Sequence, residues 1–306
     1  MTDCDQAWLA AAVARALDED LGVRPYATGS LDGVPAAGRD VTTQAIFPPD
    51  QRAQANLVAR EPGVVAGLGV AEIALADVSR RFGLASATVE LLVHDGTAVE
   101  PGTVLAVLHA PVQAILIAER TILNLACRAS GVATATRRWA DALDGTGAQV
   151  LDTRKTTPGL RELDKYSVRA GGGTNKRMGL YDVAMIKDNH IAAAGGVRPA
   201  IEAVAGRFPD ISIQVEADTA EQALEAVSAG ARFLLLDNMP TAVMADLVSR
   251  IRALEPETGR VELEATGNLT LDRAAEVART GVDYLSVGAL THSAPILDLA
   301  LDFPNR

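Results

Sequence analysis

Two patterns of hydrophobic and polar positions alternate in the second half of the chain. Six short apolar runs recur there, and between most of them apolar residues follow helical spacing, as at 220–228, 242–254 and 271–280. The runs are QVLD (149–152), VAMIK (183–187), ISIQVE (211–216), RFLLLD (232–237), VELEATG (261–267) and DYLSVG (283–288). Because parallel strands need helical crossovers, this order predicts successive βα units and an incomplete α/β barrel. No GxGxxG follows the first run, which weakens the alternative of a doubly wound dinucleotide-binding sheet.

Local signals also predict where two of these helices begin. Thr219 followed by Gln222 predicts a capping box, and Thr270 predicts an N-cap. In the first half, residues 6–21 and about 112–130 carry helical patterns, and short strand-like runs with turn signals such as Asp95-Gly96 lie between them. The first half is therefore expected to form a separate α+β domain, with its boundary somewhere in 110–145.

Polar residues and glycines follow the predicted strands at their carboxyl ends. The segments are Asp152-Thr153-Arg154-Lys155, Lys187-Asp188-Asn189-His190, Glu216, Asp237-Asn238, Thr266-Gly267-Asn268 and Gly288. In α/β barrels the carboxyl ends of the strands form one rim, where active sites are assembled from separate loops. A single residue of this kind is more often a helix cap, but six successive strands favour a functional rim.

Charge narrows the candidate chemistry. The chain has 306 residues and a net charge of −11, which argues against nucleic acid or an anionic membrane as a partner. It has no long apolar run, no signal-peptide pattern and only two cysteines, so we expect a cytoplasmic protein without a disulfide framework. Residues 151–191 nevertheless hold eight Lys and Arg against five acids, including all four lysines of the chain. This basic stretch is typical of a site for an anionic substrate.

Three local features of the rim suggest specific ligands. Thr153, Arg154 and Lys155 suit a carboxylate or phosphate, and three glycines before Lys176 and Arg177 would let the backbone approach a ligand. Glu216 and Asp237 fit either salt bridges or a Mg²⁺ ion, and spacing alone leaves both open. The final turns, at 266–268 and 287–289, suit a phosphate, although glycine there could serve tight turns alone.

In sequence order, these segments resemble the quinolinate phosphoribosyltransferase family. The matching text is AERTILNLACRASGVAT (118–134), DTRKTTPGLRELDKYSVRAGGGTNKRMGLYD (152–182), MIKDNHI (185–191), QVEADT (214–219), LLLDNM (234–239) and VDYLSVGALTHSAPILDLALDF (282–303). The resemblance implies an N-terminal α/β sandwich domain (1–125, joined by 290–306) and a barrel of fewer than eight strands (126–289). It also implies a cytoplasmic homodimer, or a multiple of dimers, that uses quinolinate, phosphoribosyl pyrophosphate and Mg²⁺ for NAD biosynthesis.

The resemblance also assigns roles to residues. Lys155, Lys187, Glu216 and Asp237 would be catalytic, and Glu216 and Asp237 would contact the ribose and hold the metal. The remaining substrate contacts would come from Thr153, Arg154, Lys176, Arg177, Thr266, Gly267, Asn268, Val287, Gly288 and Ala289, with Arg120 reaching in from the neighbouring subunit.

Departures from the family pattern and two alternatives qualify this assignment. The family commonly has His where this chain has Lys176, and Ser-Gly-Gly where it has Thr266-Gly267-Asn268. The segment 23–39 is longer than the family's usual link and has no assigned role. A Schiff-base barrel aldolase using Lys155 or Lys187 is one alternative. A non-catalytic paralogue of the molybdenum-transport accessory type, which shares the fold, is the other.

Overall fold

The computed structural model describes residues 4–23 and 34–304, and most of the 23–39 segment therefore lies outside the described residues. The chain divides into two compact units. The first comprises Met1–Ala135, Thr157–Gly171 and Ala294–Arg306, and the second comprises Thr136–Thr156 and Gly172–Ser293.

The first unit contains an antiparallel four-stranded sheet with helices. Its strands are β1 (Arg52–Ala59), β3 (Thr88–Leu91), β5 (Val104–Pro111) and β12 (Leu299–Asp302), in the order β12-β1-β5-β3. A two-stranded sheet pairs β2 (Gly63–Val64) with β4 (Ala98–Val99). The helices are α1 (Gln6–Asp20), α2 (Thr43–Ile46), α3 (Val70–Phe82), α4 (Val112–Ala142), which continues past residue 135, and α5 (Arg161–Ala170).

Helix α1 shows why these residues fold as they do. The Asp5 carboxylate caps its first turn by accepting from the N–H groups of Ala7 and Trp8. Its apolar residues fall on one face, so that Leu9 and Leu17 are fully buried in the core of this unit. Each fully buried leucine contributes about 1.5–3 kcal/mol relative to an exposed one.

The second unit is built on a parallel six-stranded sheet, as the apolar runs predicted. The strands are β6 (Gln149–Leu151), β7 (Val183–Ile186), β8 (Ser212–Ala217), β9 (Phe233–Asp237), β10 (Glu262–Thr266) and β11 (Tyr284–Ser286), in the order β6-β11-β10-β9-β8-β7. The first strand thus pairs with the last, and an isolated parallel bridge joins Leu151 to Thr174. The prediction of an incomplete α/β barrel together with an N-terminal sheet domain is confirmed.

Helices connect the parallel strands. They are α6 (Asp188–Ala194) and α7 (Val197–Arg207) before β8, α8 (Ala220–Ser228) before β9, α9 (Thr241–Thr258) before β10, a 3-10 turn (Leu271–Arg273) with α10 (Ala274–Ala278) before β11, and α11 (Ala289–His292) after it. The predicted cap at Thr219 is present, since its hydroxyl accepts from the Gln222 N–H at 3.2 Å. The side chain of Gln222 in turn accepts a hydrogen bond from the N–H of Asp218 through Oε1. Thr270 occupies the predicted N-cap position, although its side chain makes no capping hydrogen bond.

Over the described residues, no helix has both the length and the apolar composition needed to cross a membrane.

Candidate active site

A cavity of about 290 Å³ lies among the carboxyl ends of the parallel strands in the second unit. Most of its lining side chains are charged or polar, and they come from all six parallel strands or the segments that follow them. They are Thr153, Arg154, Lys155, Lys176, Arg177, Met185, Lys187, Glu216, Leu235, Glu264, Thr266 and Ser286. Eight of the residues expected from sequence are therefore brought together: Thr153, Arg154, Lys155, Lys176, Arg177, Lys187, Glu216 and Thr266.

Strand register explains why these side chains share a cavity. Glu216 of β8 pairs with Leu235 of β9, and Leu235 pairs with Glu264 of β10. Paired residues of parallel strands project from the same face of the sheet, and residues two apart on one strand do so as well. The same alternation places Thr266 on the face of Glu264, and Asp237 on the face of Leu235.

The lining has a strongly positive character. Five cationic side chains, from Arg154, Lys155, Lys176, Arg177 and Lys187, face two carboxylates, from Glu216 and Glu264. Burial lowers the pKa of Arg177, and the positive charge of Arg154 lowers it further. An anionic ligand between the two guanidinium groups would relieve this repulsion, because guanidinium forms paired hydrogen bonds to carboxylate and phosphate oxygens.

Lys187 and Glu216 form an ion pair across two neighbouring strands. The Lys187 Nζ lies 2.5 Å from Glu216 Oε2, and the two side chains are 45% and 12% exposed. The backbone of Lys187 is fixed as well, because its N–H donates to His190 Nδ1 at 3.0 Å in the first turn of α6. Such a half-exposed pair adds little stability, so its main consequence is the placement of a cation next to a carboxylate.

The buried carboxylate of Asp152 fixes the segment that follows the three glycines. Asp152 is 0% exposed, and it accepts from the backbone N–H of Lys176 at 2.8 Å and from Asn175 Nδ2 at 2.6 Å. Further along, Asp182 accepts from the N–H groups of Met178 and Gly179. Arg177 thus lies between two carboxylate-anchored turns, and its Nη1 donates to the Val183 carbonyl at 3.0 Å.

Asp237 is not among the residues that line the cavity, but its pKa is affected by Glu216, which does line it. Burial raises the pKa of Asp237, and the negative charge of Glu216 raises it further. The side chain of Asn238 donates to Asp237 Oδ2 at 2.8 Å, and Asn238 Oδ1 in turn accepts from Asn268 Nδ2 at 3.0 Å. This chain of hydrogen bonds joins the turns that follow β9 and β10.

The two final turns lie close to residues of the cavity. At Gly267, a Cβ atom would lie 2.3 Å from Asn238 Oδ1, and φ is +86°, so only glycine fits. At Gly288, a Cβ would lie 3.0 Å from Lys155 Cδ. Asn268 adopts a left-handed φ of 47°, Val287 is buried, and Ala289 begins α11.

Three cations of the basic stretch, Arg161, Lys165 and Arg169, are not among the residues that line this cavity. They belong to α5, which is part of the first unit, and Lys165 is fully buried there. Arg120 is also in the first unit, as an exposed residue of α4.

Sequence reasoning missed four lining residues: Glu264, Met185, Leu235 and Ser286. Each of them lies two positions before a residue that was expected, namely Thr266, Lys187, Asp237 and Gly288. Counting back along each strand with a period of two would have found all four.

Known proteins similar to the chain were compared with it at the level of domains, sequence and structure. The family model described as quinolinate phosphoribosyl transferase, N-terminal domain, matches residues 40–130, and the corresponding C-terminal domain model matches residues 132–302. The nicotinate-nucleotide pyrophosphorylase (carboxylating) of Mycobacterium leprae (strain TN) is 44% identical over 302 residues, which cover 99% of each protein. The quinolinate phosphoribosyltransferase (decarboxylating) 2, mitochondrial, of Nicotiana glauca is 41% identical over 86% of this chain and 76% of that relative.

A solved structure agrees with these relationships. The nicotinate-nucleotide pyrophosphorylase from Francisella tularensis superposes with a TM-score of 0.83 at 31% identity, covering 97% of this chain and 96% of that one. Since the two domain models span most of the sequence and the relatives match along nearly its whole length, the chain belongs to the quinolinate phosphoribosyltransferase family.

Proposed function

We propose that the chain transfers the phosphoribosyl group of phosphoribosyl pyrophosphate to quinolinate, with loss of CO₂, to give nicotinate mononucleotide and pyrophosphate. Membership of the family supports this reaction, and the positive cavity at the strand ends is the structural observation that carries it. Quinolinate is a dicarboxylate and its partner carries phosphates, so both substrates need cations.

Arg154, Arg177 and Lys187 hold the two quinolinate carboxylates in this proposal. Arg154 lies close enough for its charge to lower the pKa of Arg177, and an intervening carboxylate would offset this effect. The third cation, Lys187, also lines the cavity and is paired with Glu216. These three cations would hold quinolinate in one orientation, which lowers the barrier because the reacting groups are positioned before the reaction begins.

Lys155 and the final two turns serve the phosphoribosyl donor. The buried hydroxyl of Thr291 donates to the Lys155 carbonyl at 2.8 Å, and Gly288 lies against the Lys155 side chain. This contact places an exposed ammonium beside residues 287–289. The backbone N–H groups of the turns at Gly267–Asn268 and Gly288–Ala289 would bind the 5′-phosphate, with Thr266 contributing a hydroxyl.

Glu216 and Asp237 fit a Mg²⁺ ion that arrives with the donor. The two carboxylates are near enough for Glu216 to raise the pKa of Asp237, so a divalent cation between them would remove that repulsion. Within the described part of the chain there is no group of three or more potential metal-ligating His, Cys, Asp or Glu residues. A two-carboxylate site suits Mg²⁺, which commonly takes one or two carboxylates and completes its shell with phosphate and water. When bound, the ion would neutralise charge on the departing pyrophosphate.

During the reaction the residues of the chain mainly position the two substrates and neutralise the charges that develop on them. As the bond to pyrophosphate breaks, the ribose gains positive character, which Glu216 and Asp237 are placed to stabilise, and Lys155 stabilises the leaving group. Once the quinolinate nitrogen is bonded to the anomeric carbon of the ribose, it carries a positive charge. This charge stabilises the electron pair that remains on the neighbouring carbon when CO₂ leaves, until that carbon takes up a proton.

A homodimer completes the site in this proposal. Arg120 is exposed on α4, and the resemblance to the family supports a role for it in the active site of a second copy. A mixture of two inactive variants tests this: Arg120→Ala and Arg154→Ala chains should regain activity when refolded together, because one site per mixed dimer has both arginines. If the chain is a monomer, or if mixing restores nothing, the shared site is excluded.

The Schiff-base alternative has less support from the site. A lysine that attacks a carbonyl must be uncharged, whereas Lys187 is paired with the Glu216 carboxylate at 2.5 Å. The non-catalytic alternative lacks a supporting observation, since the cationic segments of the family are retained in the cavity.

The direct assay combines the protein with Mg²⁺, phosphoribosyl pyrophosphate and quinolinate labelled in its 2-carboxylate, and measures labelled CO₂ and pyrophosphate. Nicotinate replaces quinolinate in the control. Equal release of CO₂ and pyrophosphate supports the proposal. Pyrophosphate release with nicotinate alone identifies a different phosphoribosyltransferase, and trapping by borohydride with a carbonyl substrate identifies an aldolase.

A further inference from the structure

A buried ion pair in the wall of the cavity has no role in the reaction described so far. The Lys176 Nζ lies 2.6 Å from both carboxylate oxygens of Glu264. The two side chains are 6% and 0% exposed, yet both contribute to the lining of the cavity. This pair combines a cation expected to face the substrate with a carboxylate that sequence reasoning missed.

Both partners are held in place by the backbone. Glu264 lies in the middle of β10, between Leu235 of β9 and Tyr284 of β11 in the strand register. Lys176 follows the bridge between Thr174 and Leu151, and its N–H is held by Asp152. The separation of the two charged groups is therefore set by the sheet on one side and by an anchored loop on the other.

Electrostatics make each partner dependent on the other. Burial lowers the pKa of Lys176 and raises the pKa of Glu264, and the attraction between the two opposes both effects. The charges of Lys187 and Arg177 also lower the pKa of Lys176, and that of Glu216 raises the pKa of Glu264. Without Glu264, the Lys176 ammonium would lie among the positive charges of Lys187 and Arg177, with the ring of Phe233 5.9 Å from its Nζ as a favourable contact.

We propose that Glu264 is a positioning residue for the acid-binding cavity, and that it acts by holding Lys176 where the ammonium contacts a carboxylate of the aromatic dicarboxylate substrate. The pair is neutral overall, so it adds a directed hydrogen-bond donor to the wall without adding net charge. Lysine is suited to this position because its long stem reaches Glu264, and the carboxylate keeps the ammonium charged in a buried setting. This inference rests on the proposed function for the identity of the ligand.

The first test measures quinolinate affinity by calorimetry in four proteins: wild type, Lys176→Met, Glu264→Gln and the double variant. Each single variant should weaken binding about tenfold, and the double variant should also be about tenfold weaker, because residues that act as one unit are not additive. Glu262→Gln is the matched control, since Glu262 lies on the same strand outside the cavity lining. A hundredfold loss in the double variant, or wild-type affinity in Glu264→Gln, overturns the proposal.

Thermal unfolding separates positioning from a merely structural role. Removing one partner of a buried pair leaves an uncompensated charge, so both single variants should melt below the wild type and the double variant should recover much of the loss. Stability is then restored in the double variant while affinity is not. If affinity recovers together with stability, the pair only supports the fold and the proposal fails.

A measurement without ligand keeps the inference distinct from the proposed function. The chain has four lysines, so labelling lysine at ¹³Cε gives four signals, and the loss of one in Lys176→Arg assigns Lys176. That signal should move in Glu264→Gln and stay in place in Glu262→Gln. An unchanged Lys176 signal in Glu264→Gln overturns the pairing. If the pairing holds but the wild type does not bind quinolinate, the proposed substrate is wrong and Glu264 positions Lys176 for another ligand.

Discussion

The Nζ of Lys187, which directly follows β7, lies 2.5 Å from Oε2 of Glu216 in the neighbouring parallel strand β8. The pair places a substrate-binding cation directly beside a carboxylate that we assign to the ribose and the metal. It therefore links the two halves of the proposed reaction, since the quinolinate and donor sites share this contact.

Glu216→Gln is expected to separate binding from turnover. The amide keeps the size of the side chain but removes the charge, so kcat should fall about 100-fold, the usual effect of losing one preorganised electrostatic group. Lys187 is then no longer neutralised, and the KM for quinolinate should stay the same or decrease. Steady-state kinetics with each substrate varied in turn provide the measurement. Lys187→Met is the companion variant and should raise the quinolinate KM; a wild-type kcat in Glu216→Gln would exclude its assigned role.

Thr291→Val should affect the donor more than quinolinate. The substitution keeps the shape of this fully buried residue but removes the hydroxyl that donates to the Lys155 carbonyl. Loss of one buried hydrogen bond costs about 1–3 kcal/mol of stability. We expect a lower unfolding midpoint in denaturant and a severalfold higher KM for phosphoribosyl pyrophosphate, because Lys155 loses its attachment to α11. An equal rise in both KM values would argue against a specific contact with the donor.

Asp182→Asn should reveal a pH-dependent contribution to stability. Burial opposes ionisation of Asp182, but the N–H groups donated by Met178 and Gly179 outweigh it and lower the pKa of this carboxyl below 3.8. The folded-state pKa of Asp182 lies below its unfolded-state pKa. The carboxylate therefore stabilises the protein fully at pH values above the unfolded-state pKa, and this stabilisation is lost as pH falls through the folded-state pKa. The difference in unfolding free energy between wild type and variant should be constant from about pH 7 to 5 and shrink below about pH 4. A difference that widens on acidification would contradict this mechanism.

Much of the barrel could be predicted from the sequence because its strands are short apolar runs that end abruptly at polar residues. The run RFLLLD, for example, became β9 with its boundary at Asp237. Helix α4 extends to Ala142, beyond the predicted end near residue 130, because its last turns carry polar residues that obscure the apolar period.

The composition of the site was harder to predict than its location. Charge density suggested that Lys165 and Lys176 belonged together, yet Lys165 is buried in α5 within the first unit. Which of the two units a connecting segment belongs to depends on contacts between residues distant in sequence, and local charge does not predict it. Glu264 was missed for the opposite reason: together with Glu262 it alternates with apolar residues, a pattern that resembles an exposed strand face until the register is known.

Quinolinate-dependent CO₂ release by Arg154→Ala, beside wild type and Arg250→Ala, tests the central claim most directly. Arg250 is an exposed arginine on α9 that contacts Asp246 one helical turn away, so its loss controls for the removal of a positive charge. We predict unchanged CO₂ release in Arg250→Ala, and no detectable release in Arg154→Ala at an unchanged unfolding midpoint. Near-wild-type release from a folded Arg154→Ala protein would contradict the assignment of this cavity as the active site.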